Sequence, residues 1–293
     1  MSRILMAEVN ISEGTNLELV NEVKAAFMSV EGVEIVDIDS NADHNRTVFT
    51  YKGEPEQVLE STKRLAQKAV ELIDMTKQHG SHPRMGAVDV VPFIPVKDIT
   101  LEEAVAISKR FGEFLGGLGV PVYYYEEAQP LEYRKALPKI RKGQYEALEE
   151  KMKDPEWAPD EGPREFNPKS GATVTGSRFP LVAFNINLQT SDLEIGKKIV
   201  KAVRSATGGY AYIRAIALPL EERGLVQVSM NMINYEKTPI HRVYETIKSE
   251  ANRYNVNIAD TELVGPVPLA ALRDVLDFYL KINDEFSIEQ IYN

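Results

Sequence analysis

Two histidines and an arginine lie close together in the stretch His79-Gly-Ser-His82-Pro-Arg84, directly before a predicted apolar strand. Histidine can take up and release a proton near neutral pH, and the planar guanidinium of arginine matches a carboxylate. The prolines and glycines around them indicate a shaped loop. This grouping predicts a reaction centre for an anionic substrate, with His82 as the proton-transfer residue.

A structural role is an equally good interpretation of His82 when residue types alone are considered. Both histidines closely follow a predicted long helix, and the helix macrodipole favours histidine near a C-terminus. For His79 the structural role is the favoured one, as a cap or a supporting group. A zinc site formed by His79 and His82 is less favoured, because no acidic residue or third histidine stands at a local ligand spacing.

A second polar cluster, residues 37–46, follows another predicted strand, where α/β proteins commonly place functional groups. Within it, Asp39 could orient a histidine or accept a hydrogen bond from a substrate amine, and Arg46 could pair with a carboxylate. Asp, Ser and Asn are also turn formers. Residue types alone therefore slightly favour a solvated turn.

The third segment, residues 166–176, is rich in Gly, Ser and Thr. Backbone amides in such a loop can bind an anion or the edge of a planar ligand. The segment is not a P-loop, because the Gly-Lys-Ser order is missing. A plain linker between domains is the interpretation that spacing alone favours.

Apolar periodicity predicts the elements that position these residues. The first third of the chain has the order β-α-β-β-α-β, a split βαβ pattern. The strands are predicted at 4–11, 33–38, 47–51 and 88–94, and the helices at 17–27 and 58–73. Further on we expect a helix at 101–118, a strand at 120–125, a helix at 139–153, an irregular segment at 157–163 and a loop at 167–177.

The second half repeats this order of elements weakly. Residues 181–187 resemble residues 5–10, and residues 263–268 resemble residues 90–95. The strands between them are predicted at 210–217 and 226–233, and the helices at 193–200 and 241–254. We therefore expect an α/β (α+β) fold of two similar subdomains, residues 1–178 and 179–293, with helices on the outer face of each sheet and a ligand groove between them.

Composition limits the function classes. The 293 residues are 43% hydrophobic, which is ordinary for a globular protein, and their net charge of -10 argues against a general nucleic-acid binder. The absence of cysteine excludes disulfides, a thiolate metal site and a cysteine nucleophile. The start lacks a signal-peptide pattern and no stretch is long and apolar enough to span a membrane, so we expect a soluble, cytoplasmic protein.

Taken together, these segments resemble the glutamate formimidoyltransferase (formiminotransferase) family. The longest and most specific motif covers residues 79–95. The other matching motifs are residues 10–14, 43–47, 74–75, 157–160, 171–173 and 183–187. Beyond about Leu188 only the order of elements and the segment that begins at Leu263 support the resemblance.

The resemblance implies transfer of the formimino group from N-formimino-L-glutamate to tetrahydrofolate, which gives 5-formiminotetrahydrofolate and L-glutamate in histidine degradation and one-carbon metabolism. Tetrahydrofolate is then a co-substrate, and neither a tightly bound cofactor nor a metal is expected. It also implies two subdomains with folate between them, and a homodimer. The bifunctional relatives carry a following cyclodeaminase domain, whose activity is expected to be absent because this chain ends at Asn293.

The resemblance and the chemistry together assign the site residues. His82 is the catalytic acid/base, and Asp39 fixes its orientation or favours its charged form. The substrate-binding residues are Arg46, Arg84, Asn10, His44 and Asn45, with the arginines on the substrate's carboxylates. The folate-binding residues are Arg164, Phe166, Lys169, Ser170, Gly171, Ala172, Thr173 and Gly176, with Lys169 near the glutamate tail of folate.

Three other functions are retained as alternatives. A glutamate formyltransferase of folate salvage, acting on 5-formyltetrahydrofolate, is separated by comparing kcat/KM for formimino and formyl donors. Saturable folate binding without turnover on either donor indicates a non-catalytic folate-binding protein. Chelator-sensitive release of formamide without folate indicates a metal-dependent amidine hydrolase.

Overall fold

The computed structural model describes residues 3–129, 131–282 and 286–290. Contacts between residues divide the chain into two compact units, and the division falls between Arg178 and Phe179. Each unit has its own hydrophobic core around a β-sheet. The molecule therefore has two separately built α/β units.

The described residues of the first unit form six strands and five helices. Its strands are β1 Ile4–Ile11, β2 Val33–Asn41, β3 Arg46–Gly53, β4 Val90–Lys97, β5 Val122–Glu126 and β6 Thr173–Ser177. Its helices are α1 Leu17–Met28, α2 Pro55–Leu72, α3 Leu101–Gly117 and two of four residues, α4 Leu137–Ile140 and α5 Leu148–Lys151. Single 3-10 turns lie at Met75–Lys77, Glu132–Arg134, Tyr145–Ala147 and Pro155–Trp157.

Local sequence explains where the long helices of this unit begin. The Asn16 side chain accepts from the Leu19 amide at the start of α1, and Pro55 occupies the first turn of α2. Thr100 and Glu103 form a reciprocal capping box at the start of α3. The caps of α1 and α3 satisfy amides that have no partner inside the helix, whereas Pro55 has no amide hydrogen to satisfy.

The first sheet has the strand order β2-β3-β1-β4-β6-β5. Strand β1 pairs antiparallel with β3 and β4, whereas β6 pairs parallel with β4 and β5. Alternate residues of β1 enter the main core beside α1, α2 and α3, as the two-residue period of a strand requires. On β5, Val122 joins that core while Tyr123 joins a smaller core with α4 and α5 on the opposite face.

The second unit repeats the first four strands and two helices in the same order. Its strands are β7 Val182–Leu188, β8 Ile213–Leu220, β9 Leu225–Met232 and β10 Ile258–Val264, and its helices are α6 Leu193–Val203, α7 Ile240–Asn252 and α8 Leu269–Leu280. Single 3-10 turns lie at Ser205–Thr207, Glu221–Arg223 and Ile288–Gln290. The order β8-β9-β7-β10 corresponds to β2-β3-β1-β4, with antiparallel pairing in both.

The predicted fold class and the internal repeat are confirmed. Three local predictions are wrong. Residues 139–153 form two short helices joined by turns instead of one helix, and β6 replaces the second part of the predicted loop at 167–177. The short helices α4 and α5 cover part of the face opposite α1–α3, so the helices of the first unit do not all lie on one face.

Candidate active site

His82 lies on the loop between α2 and β4, and neighbouring strands hold this loop in place. The Ser12 amide and hydroxyl, just past the end of β1, donate to the carbonyls of Ala87 and Gly86 at 3.0 and 2.7 Å. The Ala87 amide donates to the Ser170 carbonyl at 2.8 Å, and the Ala172 amide to the Met85 carbonyl at 3.0 Å. Backbone bonds from two sides therefore determine the path of the chain behind His82.

The contact between this loop and the segment before β6 requires glycine. Gly171 has φ +63°, and a Cβ there would overlap the carbonyl oxygen of Met85. Gly86 has the matching restriction, because its Cβ would overlap the carbonyl of Ala172. The two backbones approach too closely for any side chain.

Gly171→Ala is expected to destabilise the protein by about 1–3 kcal/mol more than Gly119→Ala, because only the first change introduces an overlap with fixed backbone. Gly119 is the matched control, since its φ is +81° and a Cβ there meets nothing within 4 Å. The measurement is the denaturation midpoint of each variant. Equal losses in the two variants would contradict the close contact.

Arg46 makes the direct contact with the histidine. Its Nη1 lies 2.6 Å from His82 Nε2. A guanidinium can only donate, so Nε2 accepts and the ring proton resides on Nδ1. Burial first, and then the positive charges of Arg46 and Arg141, lower the pKa of His82 to about 4, against a hydrogen bond to the Pro83 backbone. His82 is therefore an uncharged imidazole at neutral pH.

The loss of folding stability at acidic pH is expected to depend on the protonation of His82. With its pKa near 4 in the folded state and near 6.5 in the unfolded state, the unfolded chain binds more protons between these values. The free energy of unfolding therefore falls as the pH is lowered through this window. His82→Gln should lose less stability than the wild type between pH 6.5 and 4 in parallel urea titrations, and an equal loss would contradict the low pKa.

Arg46 is held at the beginning of β3, opposite Asn41 at the end of β2. Gly14 packs beneath it so closely that a Cβ on Gly14 would overlap the Arg46 backbone. Burial lowers the pKa of Arg46, and the Asp39 carboxylate opposes this by its charge. The Nε of Arg46 is buried without a hydrogen-bond partner among the described residues. One donor of this guanidinium is thus unsatisfied within the described part of the protein.

Asp39 and His44 both lie near the Arg46–His82 pair, but they interact with different members of it. The Asp39 side chain is exposed and makes no hydrogen bond to His82 in the described part of the chain, so its influence reaches the histidine through Arg46. The His44 ring lies 5.8 Å from the His82 ring, centroid to centroid. The geometry thus places Arg46, rather than Asp39, on the histidine nitrogen.

Asn45 and Asn10, both predicted to bind substrate, hold backbone in this structure. Asn45 has φ 47°, accepts from the Gly14 amide at 2.9 Å and donates to the His79 carbonyl at 2.9 Å and to the Gln78 side chain. The Asn10 side chain donates to the Val90 carbonyl at 3.3 Å. Asn45 therefore ties the 42–45 turn to the His82 loop.

Arg84 is turned towards Glu146 and not towards His82. Its Nη2 donates to Glu146 at 2.8 Å and to the Gln78 carbonyl at 2.7 Å, and its side chain is 9% exposed. The Tyr145 ring lies 5.9 Å from its guanidinium carbon. Through these contacts Arg84 joins the His82 loop to the 145–147 turn. Binding of a substrate carboxylate by Arg84 stays a prediction, because its guanidinium is paired with Glu146 in this structure.

Arg141, which the sequence analysis did not name, lowers the pKa of His82 by its charge. It follows α4, and its Nη2 forms an ion pair with the buried Asp89 carboxylate at the end of the His82 loop. Asp89 also accepts from the Met85 amide at 2.8 Å, and burial raises its pKa. No motif surrounds Arg141. Its positive charge within the predicted helix 139–153 is the one sequence signal that could have pointed to it.

The segment predicted to bind folate divides into interior and surface residues. Ser170, Ala172 and Thr173 are at most 2% exposed, and Gly171 and Gly176 are also buried. Phe166 packs against Tyr145 with ring centroids 5.6 Å apart, and Lys169 Nζ donates to the Glu71 carbonyl at 2.9 Å. Arg164 is exposed. Folate binding stays a prediction for the surface residues, whereas the interior residues support the His82 loop.

The described residues contain no group of three or more His, Asp or Glu side chains placed to hold a metal ion. None of their helices has both the length and the apolar character needed to cross a membrane.

Known proteins are similar to this sequence along nearly its whole length. A sequence model described as "Formiminotransferase domain, N-terminal subdomain" matches residues 4–178, and one described as "Formiminotransferase domain" matches residues 183–292. A glutamate formimidoyltransferase of Streptococcus pyogenes serotype M1 is 46% identical over 285 residues, 97% of this chain and 95% of that protein. The similarity thus includes the second half, where the motifs themselves match weakly.

Two further relatives extend the comparison. A glutamate formimidoyltransferase of Thermoplasma acidophilum is 42% identical and aligns with 94% of this chain and 91% of its own length. A formimidoyltransferase-cyclodeaminase of Rattus norvegicus is 43% identical over 99% of this chain. The aligned region covers 55% of that longer protein.

Proposed function

This chain belongs to the formiminotransferase family and catalyses folate-dependent formimino transfer, and from that premise we propose that His82 moves the proton in this reaction. The observation that carries the proposal is the Arg46–His82 contact of 2.6 Å. It favours a neutral imidazole with its proton on Nδ1, so Nε2 is the nitrogen that accepts the proton, and Arg46 must move off Nε2 for that step. The donor is N-formimino-L-glutamate and the acceptor is tetrahydrofolate.

The reaction requires one proton to change position. N5 of tetrahydrofolate attacks the amidine carbon, the N5–C bond forms, and N5 gives its proton to His82. The bond between that carbon and the glutamate nitrogen then breaks, and the protonated His82 donates the proton to the departing nitrogen. The products are 5-formiminotetrahydrofolate and L-glutamate, and His82 returns to its neutral form.

The other residues of the site hold and tune this histidine. Arg46 positions the ring through Nε2, and Asp39 offsets the charge of Arg46. Asn45 and Arg84 fix the two sides of the His82 loop. Binding both substrates in one orientation next to this loop supplies a further part of the rate enhancement through proximity.

The subdomains, the role of tetrahydrofolate, the oligomeric state and the location of the protein are part of the same proposal. The units on either side of the Arg178–Phe179 division are taken as the N-terminal and C-terminal subdomains of the family. Tetrahydrofolate is a co-substrate that leaves after each turnover, the protein is a homodimer, and it works in the cytoplasm. Sedimentation of the purified protein tests the dimer, and a monomer would remove that part of the proposal.

The test is an assay with N-formimino-L-glutamate and tetrahydrofolate, followed by acidification and detection of the methenyl-folate chromophore. A signal from the wild type and none from His82→Ala supports the proposed acid/base. A signal of equal size from the variant rejects it. Without a wild-type signal, the same assay with 5-formyltetrahydrofolate and glutamate tests the formyl donor, and silence there indicates a folate-binding protein.

A further inference from the structure

A buried carboxylate lies just before α1 and forms no ion pair within the described part of the chain. Glu13 is 4% exposed, and its Oε1 accepts from the amides of Thr15 and Asn16 and from the Thr15 hydroxyl, each at 2.8 Å. Burial opposes its ionisation, but these hydrogen bonds, together with one from Gln78, hold the pKa of Glu13 below its usual value. Glu13 is therefore a buried charge that hydrogen bonds alone stabilise.

The second oxygen of Glu13 is used by the His82 loop and not by α1. Gln78 Nε2 donates to Glu13 Oε2 at 2.9 Å. Gln78 stands four residues before His82, and its backbone carbonyl accepts from Arg84 at 2.7 Å. Capping of a helix needs only the first oxygen, so the start of α1 does not explain this contact.

Asn45 continues the same line of hydrogen bonds. Its Nδ2 donates to Gln78 Oε1 and, at 2.9 Å, to the His79 carbonyl. Its Oδ1 accepts from the Gly14 amide at 2.9 Å. Because Gly14 directly follows Glu13 in the chain, these contacts close a ring. We call the ring of Glu13, Gly14, Asn45 and Gln78 the carboxamide ring.

Groups that have only one hydrogen-bonding role fix the direction of every bond in the carboxamide ring. The Gly14 amide can only donate, so Asn45 must turn its oxygen towards it and its nitrogen towards Gln78. Gln78 must then accept from Asn45 and donate to residue 13. Glutamate accepts there and at the start of α1 with its two oxygens, whereas a glutamine at this position would present a donor to one of the two sides.

The carboxamide ring lies where the two segments of the candidate site meet. Asn45 directly precedes Arg46, and Gln78 belongs to the loop that carries His82. The side chains that these segments carry, Arg46 and His82, are 2.6 Å apart. A shift of either segment therefore changes the contact on the histidine nitrogen and the position of the ring that moves the proton.

We propose that Glu13 is a positioning residue for formimino transfer, because its carboxylate closes the carboxamide ring and the ring holds the Arg46 segment against the His82 loop. This inference rests on the proposed function. The Glu13 side chain makes no hydrogen bond to Arg46 or His82 in the described part of the chain, so it acts through Gln78 and Asn45. Its replacement should disturb the chemistry while every group that touches substrate is still present.

Glu13→Gln keeps the size of the side chain and reverses one hydrogen bond. The introduced amide opens the carboxamide ring, while the Ser81 amide still donates to the Asp43 carbonyl at 3.1 Å and keeps the two segments together. The kcat for formimino transfer is expected to fall about 10- to 100-fold, the usual effect of a misplacement of about 1 Å. The KM values for both substrates should stay near those of the wild type. Rates are expressed per bound 5-formyltetrahydrofolate, so that unfolded protein is not counted.

The double variant Glu13→Gln, Gln78→Glu tests the direction of the hydrogen bonds. It exchanges the carboxylate and the amide, so the amide at position 13 donates to the carboxylate at position 78, which still accepts from Asn45. The ring closes again, and kcat should recover most of the loss. Gln78→Glu alone places two carboxylates side by side and should be slow.

The tautomer of His82 gives a readout that a loss of stability alone would not move. Arg46 donates to Nε2 in the wild type, so the ring proton lies on Nδ1. Nitrogen NMR of the four histidine rings, with His82→Gln to identify the signal, is expected to show a shift towards the Nε2–H form in Glu13→Gln and a return in the double variant. Ser61→Ala removes a buried hydroxyl that donates to the Phe27 carbonyl, and this matched control should keep the wild-type tautomer.

Two results overturn the proposal. One is a wild-type kcat together with the wild-type tautomer in Glu13→Gln. The other is a loss of rate that the double variant does not recover, with an unchanged tautomer, which assigns Glu13 to the stability of α1 alone. If Glu13→Gln does not fold, Gln78→Ala breaks the same link and takes its place. Absent formimino transfer by the wild type rejects the proposed function instead, while the tautomer still tests the carboxamide ring.

Discussion

His82→Gln is expected to lower kcat by about 100- to 10,000-fold while folate still binds, because general acid/base catalysis contributes a factor of this size. Glutamine is the informative substitution, since its side-chain oxygen can still accept from Arg46 but cannot carry the proton. The site should keep its shape and lose its chemistry. The measurements are the rate of methenyl-folate formation after acid quench and the equilibrium binding of 5-formyltetrahydrofolate.

His79→Ala is the matched control for this substitution. His79 is exposed on the same loop, and its contribution to the loop is the backbone carbonyl that accepts from Asn45. The alanine variant keeps that carbonyl and should retain a rate close to that of the wild type. A His82→Gln enzyme as fast as His79→Ala would reject His82 as the proton carrier.

Asp89→Ala is expected to destabilise the protein by about 3–5 kcal/mol, the usual cost of removing one partner of a buried ion pair. The Asp89 side chain is 2% exposed, and its loss leaves Arg141 and the Met85 amide without their acceptor. The activity should fall as well, because the same carboxylate connects Arg141 to the end of the His82 loop. Chemical denaturation and the formimino transfer assay measure the two effects.

Glu56→Ala removes an ion pair of the opposite kind and serves as the control. Glu56 pairs with Arg110 at 2.6 Å, but their side chains are 70% and 48% exposed. Exposed pairs contribute at most about 1 kcal/mol. If Asp89→Ala loses no more stability than Glu56→Ala, then Asp89 does not have the structural role assigned to it.

Motifs with short spacing were predictable from the sequence. His82 could be predicted as a catalytic residue because other residues with suitable side chains stand within a few positions of it along the chain. Folding does not change such local patterns. Arg46 was named for its charge, yet its partner is 36 residues away, and no local pattern specifies that contact. The predicted partner of His82, Asp39, instead acts through Arg46.

The roles of polar residues that can bind either substrate or backbone were less predictable from the sequence. Asn45 and Arg84 have the residue types of substrate-binding groups, but the same donors serve backbone carbonyls equally well. The structure uses Asn45 on His79 and Arg84 on Gln78 and Glu146. Glycines in 166–176 suggested an open loop, whereas Gly171 permits close packing of two backbones.

The sequence by itself determined the β-α-β-β-α-β order of elements that both units share, and the family, because periodicity and short motifs depend on near neighbours along the chain. Tertiary structure alone decided the pairing of Arg46 with His82 and of Arg141 with Asp89, which is 52 residues away. These contacts depend on strand order and on the path of one loop. Packing of distant segments, and not residue type, selects which guanidinium meets which partner.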